Sequence, residues 1–344
     1  MRFPWANTAL LTLLAAQLVT GYFGLVAGQS SRAWVLWVHG IGGYAILLLL
    51  VWKSAVVFRS YARRRKRVNV SRVSFAALTL LLLAVLATGL LWTFAGRRYW
   101  LGFSLITVHI LLALGLAGLL AWHTLYMRFI FIVPEASSRR AFLRLSALAA
   151  AGVLFWRFTG VARAALSLPG ARRRFTGSYE TGSFTGDFPA VSWLLDNPPR
   201  ADPQTWRLVI EGEVERPQIL SYDEVQGLAS NSTSALIDCT GGWYSEQTWS
   251  GVSAARMLGL AGVLDTARSV TFESATGYSR RFSLEQAGSY LLATHVAGGP
   301  LTHSHGFPLR LVAPGQRGFQ WVKWVARIRV NDTPEFWQPP LPVQ

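Results

Sequence analysis

His305-Gly306-Phe307-Pro308-Leu309-Arg310-Leu311-Val312-Ala313-Pro314-Gly315 is the stretch whose reading decides how the second half of this chain folds. Pro308 to Ala313 reads as a short apolar strand. Glycine and proline stand on both sides of it, as they do where strands meet turns. A single charged residue, Arg310, interrupts the apolar run. A guanidinium in that position has two readings. It closes an ion pair at a strand edge, or it serves a site elsewhere in the fold.

Working outward, the same kind of text fills the region from 175 to 344. Trp206-Arg-Leu-Val-Ile and Arg268 to Glu273 alternate as half-buried strands do. Ser234 to Cys239 and Ala326 to Val330 predict further strands, and Ser253 to Leu260 a helix. Ser221-Tyr-Asp-Glu224 and Ser283-Leu-Glu-Gln286 have the spacing of capping boxes that open short helices. Short strands, turn residues and few helices predict an α+β, β-rich domain large enough to bury its own core. Cys239 is the only cysteine, so an intrachain disulfide is excluded. A lone cysteine is a buried structural residue, a nucleophile or a soft metal ligand.

The first half differs. Four apolar runs, Ala9 to Ala27, Ala33 to Phe58, Val73 to Ala95 and Leu101 to Ile132, are each long enough to cross a bilayer as a helix. They define an all-α transmembrane bundle over 1–132. The net charge of +16 raises nucleic acid as a partner. Arg59, Arg63, Arg64, Arg65, Lys66, Arg67 and Arg72 argue against it, because they cluster between two apolar runs, where basic loops set membrane orientation. That cluster and Arg128 to Arg140 are placed on the cytoplasmic side. Ser138-Arg139-Arg140-Ala141-Phe142-Leu143-Arg144, followed by the mild apolar stretch Leu145 to Trp156, resembles a twin-arginine export signal. Residues 133–174 are thus read as signal, fifth membrane helix and linker. Ala162-Arg163-Ala164 offers a signal-peptidase site; retention of the helix as an anchor is the favoured reading. The chain is expected in the cell membrane as a multi-pass protein in contact with lipid. The export machinery is a partner, and the domain 175–344 lies on the extracytoplasmic side.

Three histidines lie inside the apolar runs, where ionisable side chains are costly and mark function. His39 and His109 sit at matching depth on the second and fourth runs, and His123 stands 14 residues after His109. Fourteen residues of helix rise about 21 Å and return to nearly the same face. The pattern resembles cytochrome b membrane proteins, which implies haem b with His39 and His109 as axial ligands. A second haem at His123 stays open, because the position matching it on the second run is Lys53. His123 otherwise meets a headgroup or a quinone, and Lys53 snorkels to the surface.

Three passages of the second half together resemble the molybdenum domain of the sulfite oxidase superfamily. They are Trp206-Arg-Leu-Val-Ile-Glu-Gly-Glu-Val-Glu-Arg-Pro217; Asp238-Cys239-Thr-Gly-Gly-Trp243 with Trp249-Ser-Gly251; and Leu291-Leu-Ala, Gly299-Pro-Leu, His305 to Gly315 and Val322-Lys323-Trp324. The resemblance implies a molybdopterin cofactor with Cys239 as the thiolate ligand of molybdenum. It also implies that His305, Arg310 and Lys323 hold the pterin and its phosphate, with backbone approach at Gly318 and Gln320. His295, His303, Arg280 and Arg281 are weaker candidates. Cys239 is followed by Thr240, Gly241, Gly242, Trp243 and Tyr244, without the basic residues that would attract an oxyanion. A pocket of Trp243, Tyr244 and Trp249 suits a less charged substrate, as in periplasmic methionine sulfoxide reductases. The leading expectation is quinol oxidation at the membrane half and reduction of an S-oxide or N-oxide at molybdenum. The alternative runs the same parts backward as a sulfite or sulfur-compound dehydrogenase that reduces quinone. A non-enzymatic haem carrier is a third reading.

Overall fold

A computed structural model describes residues 4–61, 70–126, 139–192, 196 and 198–339. The chain divides into two compact units, Met1–Tyr179 and Glu180–Gln344. The boundary expected near 132, the basic residues 63–67 and the stretch 128–138, with Ser138 of the signal string, lie outside the described residues.

The first unit is helical: α1 (Pro4–Val26), α2 (Ala33–Tyr61), α3 (Val70–Ala95), α4 (Leu105–Tyr126) and α5 (Arg139–Ala165). All five are long and apolar enough to cross a membrane. Their outer faces carry exposed large apolar side chains such as Leu80, Leu114 and Leu154, a surface suited to hydrocarbon rather than water. Close packing joins α1 to α2, α3 to α4 and α2 to α5. Leu14, Ile46, Leu82 and Leu116, one from each of the first four helices, form a shared apolar layer.

Two expectations need correction. The fourth span does not begin at Leu101. Leu101 and Gly102 turn a small hairpin between β1 (Tyr99–Trp100) and β2 (Phe103–Ser104), with Gly102 at φ +82. The helix starts only at Leu105, where the Ser104 hydroxyl accepts the Thr107 N–H at 3.3 Å. The fifth stretch is longer than Leu145 to Trp156, at 27 residues. Ala, Leu and Arg favour helix on both sides of the apolar centre, no proline interrupts them, and arginines near the ends can reach water.

The second unit opens after β3 (Tyr179–Glu180). Its strands and helices are β4 (Arg207–Gly212), β5 (Gln218–Ser221), α6 (Tyr222–Leu228), β6 (Asn231–Cys239), β7 (Trp243–Ser253), α7 (Ala254–Ala261), β8 (Ser269–Ser274), β9 (Ser279–Ser283), α8 (Leu284–Gly288), β10 (Leu291–Val296), β11 (Gly299–Pro300), β12 (Arg310–Val312) and β13 (Val325–Asn331). One sheet runs β5-β4-β13-β8-β9, all antiparallel except β13 against β4. The other runs β11-β10-β7, with β6 also on β7 and β12 also on β10. One apolar core, including Leu208, Ile210, Val252, Phe272, Leu292, Leu311 and Ile328, joins them. This is the expected α+β, β-rich domain. Ser221 and Glu224 make the reciprocal capping box, and Ser253 caps α7.

Candidate functional site

Cys239 ends β6, and the turn Thr240–Gly242 leads into β7. Its Sγ accepts the Gly241 N–H at 3.3 Å. It lines a cleft of about 630 Å³ together with Thr240, Trp243, Tyr278, Arg310, Phe319, Trp321, Lys323, Ser192, Ser304 and Asp196. Burial pushes the thiol up, while the Gly241 N–H and the guanidiniums of Arg317 and Arg310 pull it back down.

The cations around this sulfur are held deliberately. Arg310 is 4% exposed and stacks over Trp249, with Trp321 also near. Its Nη1 donates to the His305 carbonyl at 2.8 Å, and its Nε is buried without a partner. Burial lowers its pKa to about 10. Lys323 Nζ donates to Ser192 Oγ at 2.9 Å and the Ser304 carbonyl at 3.0 Å, over the ring of Trp324. Burial, then the charge of Arg310, brings it down to about 7. An anion in the cleft would satisfy both groups.

Other expected residues take different places. The His305 ring is engaged on both sides, Nδ1 with Thr302 Oγ1 at 3.0 Å and Nε2 with the Phe188 carbonyl at 2.9 Å. It stacks on Phe188 at 4.1 Å and does not line the cleft. Its observed contacts fix the loop that carries Pro189 to Ser192. Gly318 lines the cleft, and a Cβ there would lie 3.1 Å from Cys239 Cα. The Gln320 side chain instead accepts from Arg280 Nε at 2.7 Å. Arg281 bonds Thr271 and Thr333. His303 keeps a buried Nδ1 without a partner, and His295 lines a separate groove with Asn231 and Ser250.

The aromatic pocket is built differently from the expectation. On β7, residues 243, 245, 247 and 249 face the core, so Tyr244 turns to the other face and is absent from the cleft lining. Trp249 is wholly buried beneath Arg310. The aromatic walls are Trp243, Tyr278, Phe319 and Trp321. Tyr278 donates its hydroxyl to the Phe319 carbonyl.

Two residues escaped the sequence reading. Arg317 pairs with Asp238 at 2.7 Å, both nearly sealed from water, and its Nη2 donates to the Cys239 carbonyl at 3.3 Å. The position of Asp238 beside the cysteine was the available clue. Asp196 is 5% exposed, lines the cleft, and has a buried Oδ1 with no partner.

In the helical unit, the rings of His39 and His109 lie 6.3 Å apart at 81°. Thr20 Oγ1 is 3.1 Å from His39 Nδ1. His109 Nδ1 meets the Val85 carbonyl at 2.9 Å and Thr88 Oγ1 at 3.3 Å. With both Nδ1 atoms engaged, each Nε2 remains to bind a metal. Two imidazole nitrogens each about 2 Å from one metal would set their ring centres about 6 Å apart. A Cβ on Gly21 or Gly89 would lie 3.2 Å from the neighbouring histidine Cε1. The motif recurs as Thr20-Gly21 on α1 and Thr88-Gly89 on α3, each serving a histidine on the following helix. His123 and Lys53 are not brought together by any contact: His123 Nδ1 is 2.8 Å from Ser74 Oγ, and Lys53 donates to Asn7 at 2.9 Å.

A soft thiol, an aromatic cleft and buried cations together suit a sulfur-ligated, phosphate-bearing metal cofactor. Residues 195–337 match the family model of the oxidoreductase molybdopterin binding domain. The uncharacterized oxidoreductase YuiH of Bacillus subtilis is 32% identical over 159 residues, which is 45% of this chain and 80% of the relative. The chain belongs to the family of molybdopterin-binding oxidoreductases and is a molybdenum-cofactor-dependent enzyme.

Other relatives match in part. Human mitochondrial sulfite oxidase is 29% identical, covering 41% of this chain and 32% of the relative. The catalytic subunit of the protein-methionine-sulfoxide reductase MsrP from Xanthomonas axonopodis pv. citri is 31% identical, covering 38% and 46%. The chain thus spans less than half of either. A crystal structure of the sulfane dehydrogenase SoxCD from Paracoccus pantotrophus shares 28% identity over 39% of this chain and 40% of its own, with a TM-score of 0.38, too low to carry a structural argument.

Proposed function

We propose that this chain is a membrane-anchored reductase of S-oxides or N-oxides that draws its electrons from quinol through haem b. The observation that carries the substrate class is the cleft over Cys239. Its walls are aromatic, its two cations already have protein partners and a cofactor phosphate to meet, and the buried carboxylate of Asp196 opposes a sulfite-like anion. A neutral S-oxide fits such a cleft better. The reductase named MsrP acts on methionine sulfoxide in proteins, and its likeness to this chain supports the same class.

When bound, molybdopterin supplies the metal that accepts the oxygen atom. The chain's own residues do the rest. Cys239 would anchor the metal as a thiolate, which suits a metal already bound by sulfur. Arg310 and Lys323 would hold the cofactor phosphate, and Gly318 admits the cofactor close to the backbone. Two electrons and two protons convert the S-oxide to a sulfide and water. His39 and His109 would hold one haem between them, and the haem would supply electron transfer. Lys53, the expected partner of His123, is bonded to Asn7 instead, which supports one haem rather than two. Retention of α5 and export through Arg139 and Arg140 would put the catalytic unit outside the membrane.

The test supplies purified full-length protein with reduced dye and methionine sulfoxide, and separately with oxidised dye and sulfite. Turnover is expected in the first assay. Turnover confined to the second would reverse the direction and make the chain a sulfur-compound dehydrogenase.

A further inference from the structure

Met1–Tyr179 contains a single carboxylate side chain, Glu135, against a large excess of arginine and lysine. Among the described cations, Arg163 and Arg173 are half-buried next to each other. Arg163, in the last turn of α5, has a buried Nη1 without a partner; its Nε donates to the Thr159 carbonyl at 3.1 Å. Arg173 donates Nη1 to Thr93 Oγ1 at 3.0 Å. Neither makes an ion pair among the described residues. Burial, then the like charge of Arg163, lowers Arg173 to about 10. Glu135 lies outside the described residues.

The fold brings this pair together at a cost. The turn Pro169–Arg172 is pressed onto α3 through Gly170, where a Cβ would collide with the Thr93 carbonyl, and the Arg163 side chain passes Gly170. Tyr179 donates its hydroxyl to the Trp92 carbonyl at 2.6 Å and clamps the following segment to the same helix end. Two half-buried like charges held this way favour a neighbouring anion, and no described residue of the unit supplies a carboxylate.

The position suggests which anion. Thr93 lies five residues beyond Thr88, the partner of His109, which is about 7.5 Å along α3. Tyr44, near enough to Arg173 to act on it, lies five residues from His39 on α2. The pair therefore stands one to two helical turns from the histidines.

We propose that Arg163 and Arg173 form an anion site at the His39–His109 end of the helical unit, filled by the carboxylate arms of the porphyrin between those histidines. The proposal rests on the haem reading. It gives the export helix and the linker a part in holding an electron-transfer group, beyond anchoring and connection. Cleavage after Ala164 would separate the two arginines into different chains, so the site requires an intact α5. A carboxylate and a lipid phosphate share the chemistry that would bind here, and the experiment separates them.

Full-length protein is purified in wild-type, Arg163→Gln/Arg173→Gln and Arg163→Lys/Arg173→Lys forms. Haem content, low-spin spectrum, midpoint potential at two pH values and bound phosphorus are measured. The glutamine pair should keep the low-spin spectrum and shift the potential negative, because two cations that favour the reduced state are gone. Its potential should also depend more on pH, since the carboxylates regain an ordinary affinity for protons. The lysine pair should stay close to wild type. If the glutamine pair loses haem outright, the lysine pair should recover it, and failure to recover overturns the proposal. An unmoved potential with full haem also overturns it. Loss of phosphorus with an unmoved potential would assign the site to a lipid headgroup instead. A wild type that contains no haem would refute the haem reading, and this proposal with it.

Discussion

At Cys239 two effects oppose each other: burial favours the thiol, and the Gly241 N–H with nearby guanidiniums favours the thiolate. Metal binding resolves the conflict by releasing the proton. Arg317 fixes the end of β6 through Asp238 and the Cys239 carbonyl. In Arg317→Met the buried carboxylate of Asp238 loses this ion pair, which should cost about 3–5 kcal/mol. Denaturant unfolding of the full chain in detergent checks this, and a loss near zero would show that the pair does not organise the site. Lys323 gives a pH signature. Its amine is held near 7 in the folded protein, against an ordinary 10.5 in the unfolded chain. Between those values the unfolded chain binds more protons, so stability rises with pH across that window. The penalty for burying the ammonium is fully present below it. In cofactor-free protein, Lys323→Met should therefore raise Tm more at about pH 6 than at about pH 9. An equal gain at both would contradict the shifted value.

The helices show how neighbouring elements orient a ligand. Thr20 on α1 and Thr88 on α3 reach across to the ring nitrogens of His39 on α2 and His109 on α4. Thr88→Val should weaken haem retention by about 10–100-fold while leaving low-spin haem detectable. His109→Ala should abolish that spectrum. Indistinguishable haem content in both variants would remove the histidine pair from the account. The helices were legible from the sequence because hydrocarbon demands long uninterrupted apolar runs. The strands β4 and β8 were legible from alternation. β7, the longest strand, was not, because two of its buried positions are Ser245 and Gln247. Their polarity hides the period, and the structure satisfies Gln247 by bonds to the Gly182 carbonyl and Ser245 Oγ. Register across β6 and β7 also determines that Trp243 faces the cleft and Tyr244 does not. A list of aromatic residues after the cysteine contains no such register. Arg310 and Lys323, which line the cleft, were legible through the resemblance because the passages that carry them are local. The Asp238–Arg317 pair was missed because its members are 79 residues apart.

On the scale of the whole molecule, an apolar helical unit and a cofactor-binding unit share one chain. Their joint use makes sense if electrons leave the membrane through the histidine pair and reach a metal held by Cys239. The paired Arg139 and Arg140 at the start of α5 fit the same plan if they direct export of a domain already folded around its cofactor. Every functional statement about the second unit then depends on one metal–sulfur bond. The direct measurement is molybdenum per chain, by elemental analysis, in matured wild type and in Cys239→Ala. Molybdenum near one atom per wild-type chain, falling severalfold or more in the variant, is the predicted result. Metal absent from the wild type, or undiminished in the variant, would contradict the account.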